Sequence, residues 1–317
     1  MKTSPIVANR TWRITAMITT ALLLLGLSGC ATFRSPVPVS NEPQYVANAS
    51  LVNRPRLALV LSGGSLRGFA HIGVIKVLEA NGIRPDLIIG SSAGAIVGAL
   101  YASGMTAREL ELASERMDMS LASDVAMPSL GIPWLRGELG LVHGEKLQQF
   151  VNTEVKHRAI ENFPIRFGAV ATNLHSGKPI TFNVGNAGLA ARASSSVPGL
   201  FTPPLIRNHR YVDGQLTSPV PVAAARALGA QIVIAVDVIY PSSHAEMTTP
   251  FSVMLQAFAI GAQHIKETEL RQADIVIRPE IEPVGQLVFA DRADLIWLGE
   301  QATINQLPQL RQVIADR

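Results

Sequence analysis

Apolar residues in this chain form short continuous runs and longer runs with helical spacing, and the two kinds alternate from Arg56 onward. Short apolar runs are typical of buried strands. The longer runs predict helices, because their apolar positions recur on one face, as at Ile72, Ile75 and Leu78. The alternation predicts an α/β protein with a mainly parallel sheet. The predicted strands are Leu57–Leu61, Leu87–Ile89, Phe167–Ala171 and Ile232–Val236, and the clearest predicted helices are Ala70–Ala80 and Ala93–Ala102.

The N-terminus has a different pattern, a basic stretch followed by the apolar run Ile14–Leu27. This run is too short to cross a bilayer, which needs roughly 20 residues, but it has the length of a signal-peptide core. Leu27-Ser28-Gly29-Cys30 resembles the lipobox of bacterial lipoprotein precursors. The resemblance implies that residues 1–29 are removed and that Cys30 is lipidated, and Ala31 after it implies export to the outer membrane. The alternative is an ordinary signal peptide with an idle cysteine.

Between this leader and the first strand, residues 30–55 contain three prolines among small and polar residues and show no helical or strand period. Such a composition predicts a semi-extended tether. Residues 56–317 contain no repeat or charge block and are predicted to form one domain. Within it, Met117–Val142 is rich in Met, Pro and Gly and predicts an irregular insertion, either a lid or a long loop.

Composition narrows the possible functions. The chain of 317 residues is 48% apolar and 16% charged, which excludes a disordered or collagen-like protein. The net charge is +3, and Lys2, Arg10 and Arg13 in the leader account for all of it. The chain after the leader is therefore near neutral, and its charge does not indicate nucleic-acid binding. The chain has a single cysteine, which excludes an internal disulfide and a Cys-rich metal site. It contains no His-Glu-x-x-His motif, so the sequence does not indicate metal catalysis.

The first catalytic motif is Gly90-Ser91-Ser92-Ala93-Gly94, which fits the G-x-S-x-G nucleophile elbow. In that elbow a sharp strand-to-helix turn exposes the serine oxygen, and the two outer positions have no room for side chains. Here a predicted strand precedes the motif and a predicted helix follows it, as the elbow requires. The alternative is a glycine-lined turn in which the serine only caps the helix.

The second motif is the glycine-rich segment Ser62–Gly68, which also follows a predicted strand and precedes a helix. Main-chain N–H groups in such a loop can bind an anion. A P-loop is excluded because Phe69-Ala70 follow Gly68, and a dinucleotide fingerprint is excluded because Ser65 replaces its second glycine. The loop therefore predicts an oxyanion hole for an ester carbonyl. Arg67 is expected either to brace the loop carbonyls or to be a solvated surface residue.

A proton acceptor for Ser92 is expected downstream, and Asp213-Gly214-Gln215 contains the most prominent acidic residue there. An Asp-Gly pair is also a common hairpin turn. A Ser-Asp-His triad stays open by residue order, with Asp213 or Asp237 as the acid and His244 or His264 as the base. His71 in the first helix is expected to be a core or capping residue. Met117, Met119 and Met127 are expected either to pack in the core or to contact acyl chains.

Together these three motifs resemble the patatin-like phospholipases, whose sequences carry a glycine-rich loop with a basic residue, G-x-S-x-G and Asp-Gly-Gly or Asp-Gly-Ala in this order. The resemblance runs from about Arg56 to Ala227 and includes Ala193–Phe201, similar to the family segment before its catalytic aspartate. It implies a three-layer α/β/α fold with a mainly parallel central sheet. Ser65 and Gln215 depart from the family pattern, which has glycine, and Gly or Ala, at these positions.

The resemblance also implies a Ser-Asp dyad that works without a histidine, and no metal or cofactor is expected. By position in the family motifs, Ser92 corresponds to the nucleophile and Asp213 to the base. Gly63, Gly64 and Ser65 correspond to part of the oxyanion loop. Because an exposed aspartate is a weak base at neutral pH, this dyad requires burial to raise the pKa of Asp213. The expected activity is hydrolysis of phospholipid or lysophospholipid esters at a bacterial envelope membrane. The alternatives are a general esterase or acyltransferase, or a lipoprotein that binds lipids without catalysis.

Overall fold

The structure is a computed structural model and describes residues 41–46, 56–124, 139–240, 248–281 and 291–316. All of them belong to one compact unit. The predicted signal peptide 1–29 and the predicted lipidation site Cys30 lie outside these residues, as do parts of the predicted tether and insertion. Of the helices in the described ranges, none combines the length and the hydrophobicity that crossing a bilayer requires.

The described ranges contain strands and helices that alternate along most of the chain. The strands are β1 (Leu57–Leu61), β2 (Leu87–Ser91), β3 (Gly140–Val142), β4 (Arg166–Asn173), β5 (Pro179–Phe182), β6 (Gly199–Phe201), β7 (Leu205–Ile206), β8 (His209–Asp213), β9 (Ile232–Val236) and β10 (Ile275–Ile277). The α-helices are α1 (Phe69–Ala80), α2 (Ala93–Ala102), α3 (Ala107–Glu115), α4 (Glu145–Glu154), α5 (Ala187–Ser194), α6 (Val222–Ala227), α7 (Pro250–Leu270) and α8 (Arg292–Ala315). Each strand and helix expected from the hydrophobic pattern is present, to within a few residues at its ends.

The central sheet has eight strands in the order β10-β9-β1-β2-β4-β8-β7, with β5 also paired to β4. Strands β10, β9, β1, β2 and β4 are parallel, whereas β5, β7 and β8 pair antiparallel. Strands β3 and β6 form a separate parallel pair. The prediction of a mainly parallel sheet is confirmed, and the antiparallel strands, which the hydrophobic pattern did not reveal, form one side of it.

Helices cover both faces of the sheet. On one face, alternate residues of β1, β2 and β9 pack against apolar residues of α6 and the end of α7. On the other face, α2 approaches so closely that a Cβ atom at Gly98 would lie 3.0 Å from Ile88 and 3.2 Å from Phe167. The expected three-layer α/β/α architecture is therefore present, and Gly98 allows the close packing of helix on sheet.

The strand register places three loops at one edge of the sheet. Leu61 pairs with Gly90, so the parallel strands β1 and β2 end side by side. Asp213, at the end of the antiparallel strand β8, pairs with Ala171 of β4. The loops that follow β1, β2 and β8 carry the three sequence motifs, and the sheet brings them together.

Part of the predicted tether is folded against the domain. Gln44 forms an antiparallel bridge with Val184 just after β5. Its N–H donates to the Val184 carbonyl at 3.1 Å, and the Asn183 N–H donates to the Gln44 carbonyl at 3.0 Å. Residues 41–46 are therefore part of the folded domain rather than of a free tether. Main-chain pairing requires no hydrophobic period, which is why the sequence pattern did not indicate it.

Candidate active site

Ser92 occupies a strained turn between β2 and α2. Its backbone angles are φ 52° and ψ −122°, an uncommon conformation for a residue with a side chain. A Cβ atom at Gly90 would lie 2.3 Å from the Gly94 carbonyl oxygen, and one at Gly94 would lie 2.2 Å from the Leu61 carbonyl oxygen. Both outer positions of the motif therefore require glycine, and Gly94 requires it because of the neighbouring strand β1. The local geometry is that of a nucleophile elbow.

Ser92 and Asp213 are 121 positions apart in sequence and in direct contact in space. The Ser92 hydroxyl donates a hydrogen bond to Asp213 Oδ2 at 2.7 Å. Ser92 is 6% exposed and Asp213 is fully buried. The Ser92 N–H donates to Ser194 Oγ at 2.9 Å, which ties the elbow to the end of α5. The structure thus brings the predicted nucleophile and its predicted proton acceptor together.

The Asp213 carboxylate is held away from water. Burial raises the pKa of Asp213 to about 7, against the lowering effect of hydrogen bonds from the Gln215 N–H and the Ser92 hydroxyl. The Gln215 N–H bond is 2.8 Å long and occupies Oδ1. A carboxyl group with a pKa near neutrality has the basicity that the sequence argument required of this aspartate.

The residues after Asp213 have close neighbours. A Cβ atom at Gly214 would lie 2.2 Å from the Val170 carbonyl oxygen, so the Asp-Gly pair is required by packing against β4. Gln215 is buried, and its side chain lies over Gly63, where a Cβ atom would be 2.3 Å from the amide carbon of Gln215. The departure at position 215 therefore places a glutamine side chain directly on the glycine-rich loop.

The glycine-rich loop presents two main-chain N–H groups. Gly63 donates its N–H to the Pro219 carbonyl at 3.1 Å, so this amide is already used. Within the part of the chain that the structure describes, the N–H groups of Gly64 and Ser65 donate no hydrogen bond. The loop residues predicted to form an oxyanion hole thus divide into one structural amide and two available donors.

The departure at Ser65 has a conformational cost. Ser65 has a φ of 53°, in the left-handed region where glycine is favoured. Gly64 before it has a φ of 153°, and a Cβ atom there would lie 2.7 Å from the Val238 side chain. The chain therefore holds a serine in a conformation for which the family pattern has glycine, and both amides keep the backbone geometry of a glycine-rich turn.

A buried hydrogen-bond network around Ser62 holds the start of the glycine-rich loop. The Ser62 hydroxyl donates to the Gly63 carbonyl and accepts from the Val238 N–H, each at 2.9 Å. His71 Nε2 lies 2.9 Å from the Ser62 carbonyl oxygen. Burial lowers the pKa of His71 to about 4, so this ring is neutral at physiological pH and Nε2 carries the donated proton. His71 is therefore a buried structural residue, as expected.

Arg67 does not brace the loop carbonyls. It is half-buried, and among the described residues its Nε has no hydrogen-bond partner. Burial lowers the pKa of Arg67, and the nearby Tyr240 opposes that effect. Neither expectation for Arg67 describes this position, because its guanidinium is neither bonded to the loop carbonyls nor fully solvated.

Two described candidates for a conventional triad, Asp237 and His264, have partners other than Ser92. Asp237 is buried and forms ion pairs with Lys266 and Arg278, each at 3.0 Å. His264 Nδ1 lies 3.0 Å from the carbonyl oxygen of Ile260 on its own helix. His244 lies outside the described residues. In the described ranges, no group of three His, Cys, Asp or Glu side chains is arranged to hold a metal ion.

A cavity of about 260 Å³ opens beside Ser92. Apolar side chains from several helices form most of its wall, and Ser65 of the glycine-rich loop also lines it. The insertion contributes to the wall through Met117 and Leu121. The side chain of Met119 is not described, and Met127 lies outside the described residues. The other lining residues are Leu66, Gly68, Phe69, Ala93, Ile96, Val97, Asp118, Leu147, Ser195, Val197, Leu200 and Phe201.

Comparisons with known proteins match the part of the chain that contains Ser92 and Asp213. A family model described as patatin-like phospholipase matches residues 59–226. The chain is 35% identical over 183 residues to an uncharacterized NTE family protein of Mycobacterium tuberculosis, covering 58% of this chain and 49% of that protein. It is 31% identical over 185 residues to human patatin-like phospholipase domain-containing protein 6, covering 57% of this chain and 13% of that protein. The chain therefore spans about half the length of the mycobacterial relative.

The solved structures that align with this chain have little sequence in common with it. VipD from Legionella pneumophila aligns with 88% of this chain and 72% of its own, at 13% identity and a TM-score of 0.45. The type III effector ExoU aligns with 81% of this chain and 53% of its own, at 16% identity and a TM-score of 0.43.

Proposed function

Because the chain belongs to the patatin-like phospholipase family, we propose that it is a serine acyl-ester hydrolase in which Ser92 is the nucleophile and Asp213 the proton acceptor. The observation that carries this proposal is the 2.7 Å hydrogen bond from the Ser92 hydroxyl to a buried carboxylate. Ser92 lies in a nucleophile elbow and lines a mostly apolar cavity.

Acylation begins when Ser92 Oγ attacks the ester carbonyl carbon while its proton passes to Asp213 Oδ2. The negative charge that develops on the carbonyl oxygen is stabilised by the N–H groups of Gly64 and Ser65 and by the N-terminus of α2. The C–O bond to the alcohol then breaks, and the leaving oxygen takes the proton from Asp213. The products are the free alcohol and an acyl ester on Ser92.

Deacylation repeats these steps with water. Asp213 accepts a proton from the water molecule as its oxygen attacks the acyl carbon. The bond to Ser92 Oγ breaks, the proton returns to that oxygen, and the fatty acid leaves. The same oxyanion donors serve both tetrahedral intermediates, so one rigid loop supports the whole cycle.

The cavity supports a lipid acyl chain as the group transferred. Its wall is mostly apolar, as a hydrocarbon chain requires, and its volume of about 260 Å³ is just below the range of roughly 300–1,000 Å³ for ligand pockets. This size favours one acyl chain at a time. We therefore propose phospholipid or lysophospholipid esters as the substrate class.

Helix α7 supports action at a lipid surface. Residues 248–265 contain no Asp, Glu, Lys or Arg. Val253 and Ile260, each 50% exposed, lie on one face with Met254, 37% exposed, beside them. Val253 and Ile260 lie only roughly 10 Å apart along the helix axis, and this face is too small for a stable dimer, which needs about 800 Å² per partner. It suits shallow insertion among lipid headgroups.

The predicted lipid anchor at Cys30 supports the same location. Together with the apolar face of α7, it favours action at the bacterial envelope, and Ala31 favours the outer membrane.

A fluorophosphonate probe tests the chemistry. We expect it to label the wild-type protein and to leave Ser92→Ala unlabelled, with the fold of both verified by circular dichroism. Lipid profiling of the product mixture then identifies the substrate. Added alcohol or lysolipid that diverts the acyl group indicates an acyltransferase. A folded wild-type protein that neither reacts with the probe nor hydrolyses esters contradicts the proposal and favours a lipid-binding protein.

Vesicles test the lipid-surface proposal separately. Ile260→Lys is expected to reduce cosedimentation with phosphatidylethanolamine and phosphatidylglycerol vesicles, and hydrolysis of their lipids, about tenfold or more. Hydrolysis of soluble p-nitrophenyl butyrate is expected to stay unchanged. Thr268→Lys, at an exposed polar position of the same helix, is the matched control. Equal vesicle binding by wild type and Ile260→Lys contradicts the role of this face.

A further inference from the structure

A buried carboxylate on α7 contacts the chain just after the catalytic aspartate. Glu269 is 7% exposed. Its Oε1 accepts a hydrogen bond from the Ser218 hydroxyl, and its Oε2 accepts one from the Val220 N–H at 2.8 Å. Glu269 lies outside residues 59–226, the range that the family model matches. Its role is therefore a property of this chain that the family match does not describe.

The residues that Glu269 holds belong to a segment that connects both halves of the active site. We name Asp213–Val220 the catalytic segment. At one end it carries Asp213, which accepts a hydrogen bond from the Ser92 hydroxyl. Near the other end, the Pro219 carbonyl accepts the Gly63 N–H at 3.1 Å. Position 219 lies between the two residues that Glu269 bonds, so Glu269 holds the carbonyl that orients the start of the oxyanion loop.

The choice of glutamate at a buried position has a cost. Burial raises the pKa of Glu269 to about 7, opposed by the hydrogen bonds from Ser218 and Val220. An apolar side chain of similar size would avoid the desolvation of a carboxylate. It would, however, leave the buried Val220 N–H without an acceptor, which destabilises the packing of this segment. A carboxylate is suited to the site because its two oxygens accept both hydrogen bonds at once.

We propose that Glu269 is a positioning residue for ester hydrolysis. By holding Ser218 and Val220, it fixes the Pro219 carbonyl and with it the Gly63 amide plane. The peptide after Gly63 supplies the N–H of Gly64, so this anchor sets the direction of the first oxyanion donor. Glu269 does not touch the substrate, and its effect reaches the reaction through the catalytic segment and the loop.

Two substitutions at Glu269 test this inference, which rests on the proposed function. Glu269→Leu keeps the side-chain volume and removes both acceptors, and we expect kcat for p-nitrophenyl butyrate to fall about tenfold. KM is expected to change less than about twofold, because the oxyanion forms only in the transition state. Glu269→Gln keeps an acceptor for Val220 and a polar partner for Ser218, and should restore kcat to within about threefold of the wild type. Glu267→Leu, exposed on the same helix, is the matched control.

A second measurement follows the loop itself. Amide hydrogen exchange at Gly63 is expected to be faster in Glu269→Leu than in the wild type and unchanged in Glu267→Leu. If Glu269→Leu fails to fold, Ser218→Ala removes one of the two bonds and is expected to lower kcat about threefold with KM unchanged. The inference is overturned if folded Glu269→Leu keeps the wild-type kcat. If Glu269→Leu does not fold, it is overturned if Ser218→Ala keeps the wild-type kcat. Absence of any wild-type turnover overturns the proposed function instead, and the Gly63 exchange rates then test the anchor alone.

Discussion

Gly68 and Ala93 lie in contact between the two glycine-containing motifs: a Cβ atom at Gly68 would be 2.6 Å from the Cβ atom of Ala93. Gly68 ends the short 3₁₀ helix Ser65–Gly68 of the glycine-rich loop, and Ala93 directly follows the nucleophile. The contact sets how closely the Gly64 and Ser65 N–H groups, the proposed oxyanion donors, approach Ser92, the proposed nucleophile. Their distance from the nucleophile therefore depends on the absence of a side chain at position 68.

Gly68→Ala is expected to lower kcat/KM at least tenfold, because the added methyl group pushes the loop away from the elbow. The free energy of unfolding should fall by about 1–3 kcal/mol, as for other overpacked sites. Gly261→Ala is the control, since a Cβ atom there has open space within helix α7. It should stabilise the helix by about 0.5–1 kcal/mol. Full activity in Gly68→Ala would show that the loop does not need this close contact.

The pH dependence of hydrolysis should follow Asp213. Since burial raises the pKa of Asp213 to about 7, the carboxyl is protonated below that pH and accepts no proton from Ser92. We expect kcat/KM to rise about tenfold per pH unit at acid pH and to level off above about pH 7. The measurement is a profile with p-nitrophenyl butyrate from about pH 5 to pH 9. Glu269→Gln should keep the midpoint, and a flat profile contradicts Asp213 as the base.

Asp213→Asn is expected to abolish turnover and to stabilise the fold at alkaline pH. The folded-state pKa of Asp213, about 7, lies above its ordinary value of 3.8. The stability contributed by this group is therefore present at acid pH and lost as pH rises through about 7. At about pH 8 the asparagine variant should unfold at least about 2–4 °C above the wild type, and near pH 4 the difference should be small. An equal difference at both values contradicts a buried, ionising Asp213.

Histidine substitutions distinguish the dyad from a triad. His264→Ala and His244→Ala are expected to keep kcat/KM within about twofold of the wild type, because the Ser92 hydroxyl already donates to Asp213. Each variant is assayed with p-nitrophenyl butyrate after its fold is verified. Loss of activity by about 10³-fold or more in either one would establish a histidine base.

The cavity wall should set the preferred acyl chain. Leu147 on α4 is 6% exposed and lines the cavity beside Ser92. Leu147→Trp shortens the cavity, and we expect kcat/KM to fall at least tenfold for p-nitrophenyl palmitate while changing little for p-nitrophenyl acetate. Ile304→Trp, at an exposed position of α8, is the control. A uniform loss over all chain lengths would indicate general disruption rather than a shortened acyl site.

Local sequence patterns predict the elbow and the secondary structure around it. The elbow is recognisable because Gly90 and Gly94 are required by contacts close to the serine, and the apolar runs around them predict the strand and the helix. Antiparallel β8 was not recognisable, since its residues His209–Asp213 have no continuous apolar run. The role of Gln215 was also hidden, because a side chain lying over Gly63 leaves no trace in spacing.

By itself, the amino-acid sequence determined the α/β class, four of the parallel strands, the elbow around Ser92, the family resemblance and the pairing of Ser92 with Asp213 as a hypothesis. Such features depend on neighbours within a few positions along the chain. Only the tertiary structure decided that the Asp213 carboxyl is fully buried against Ser92, that the Gly63 amide is bound by Pro219, and that Glu269 holds the segment between them. These properties depend on burial and on hydrogen bonds between distant parts of the chain, which form only when the sheet brings its loops to one edge.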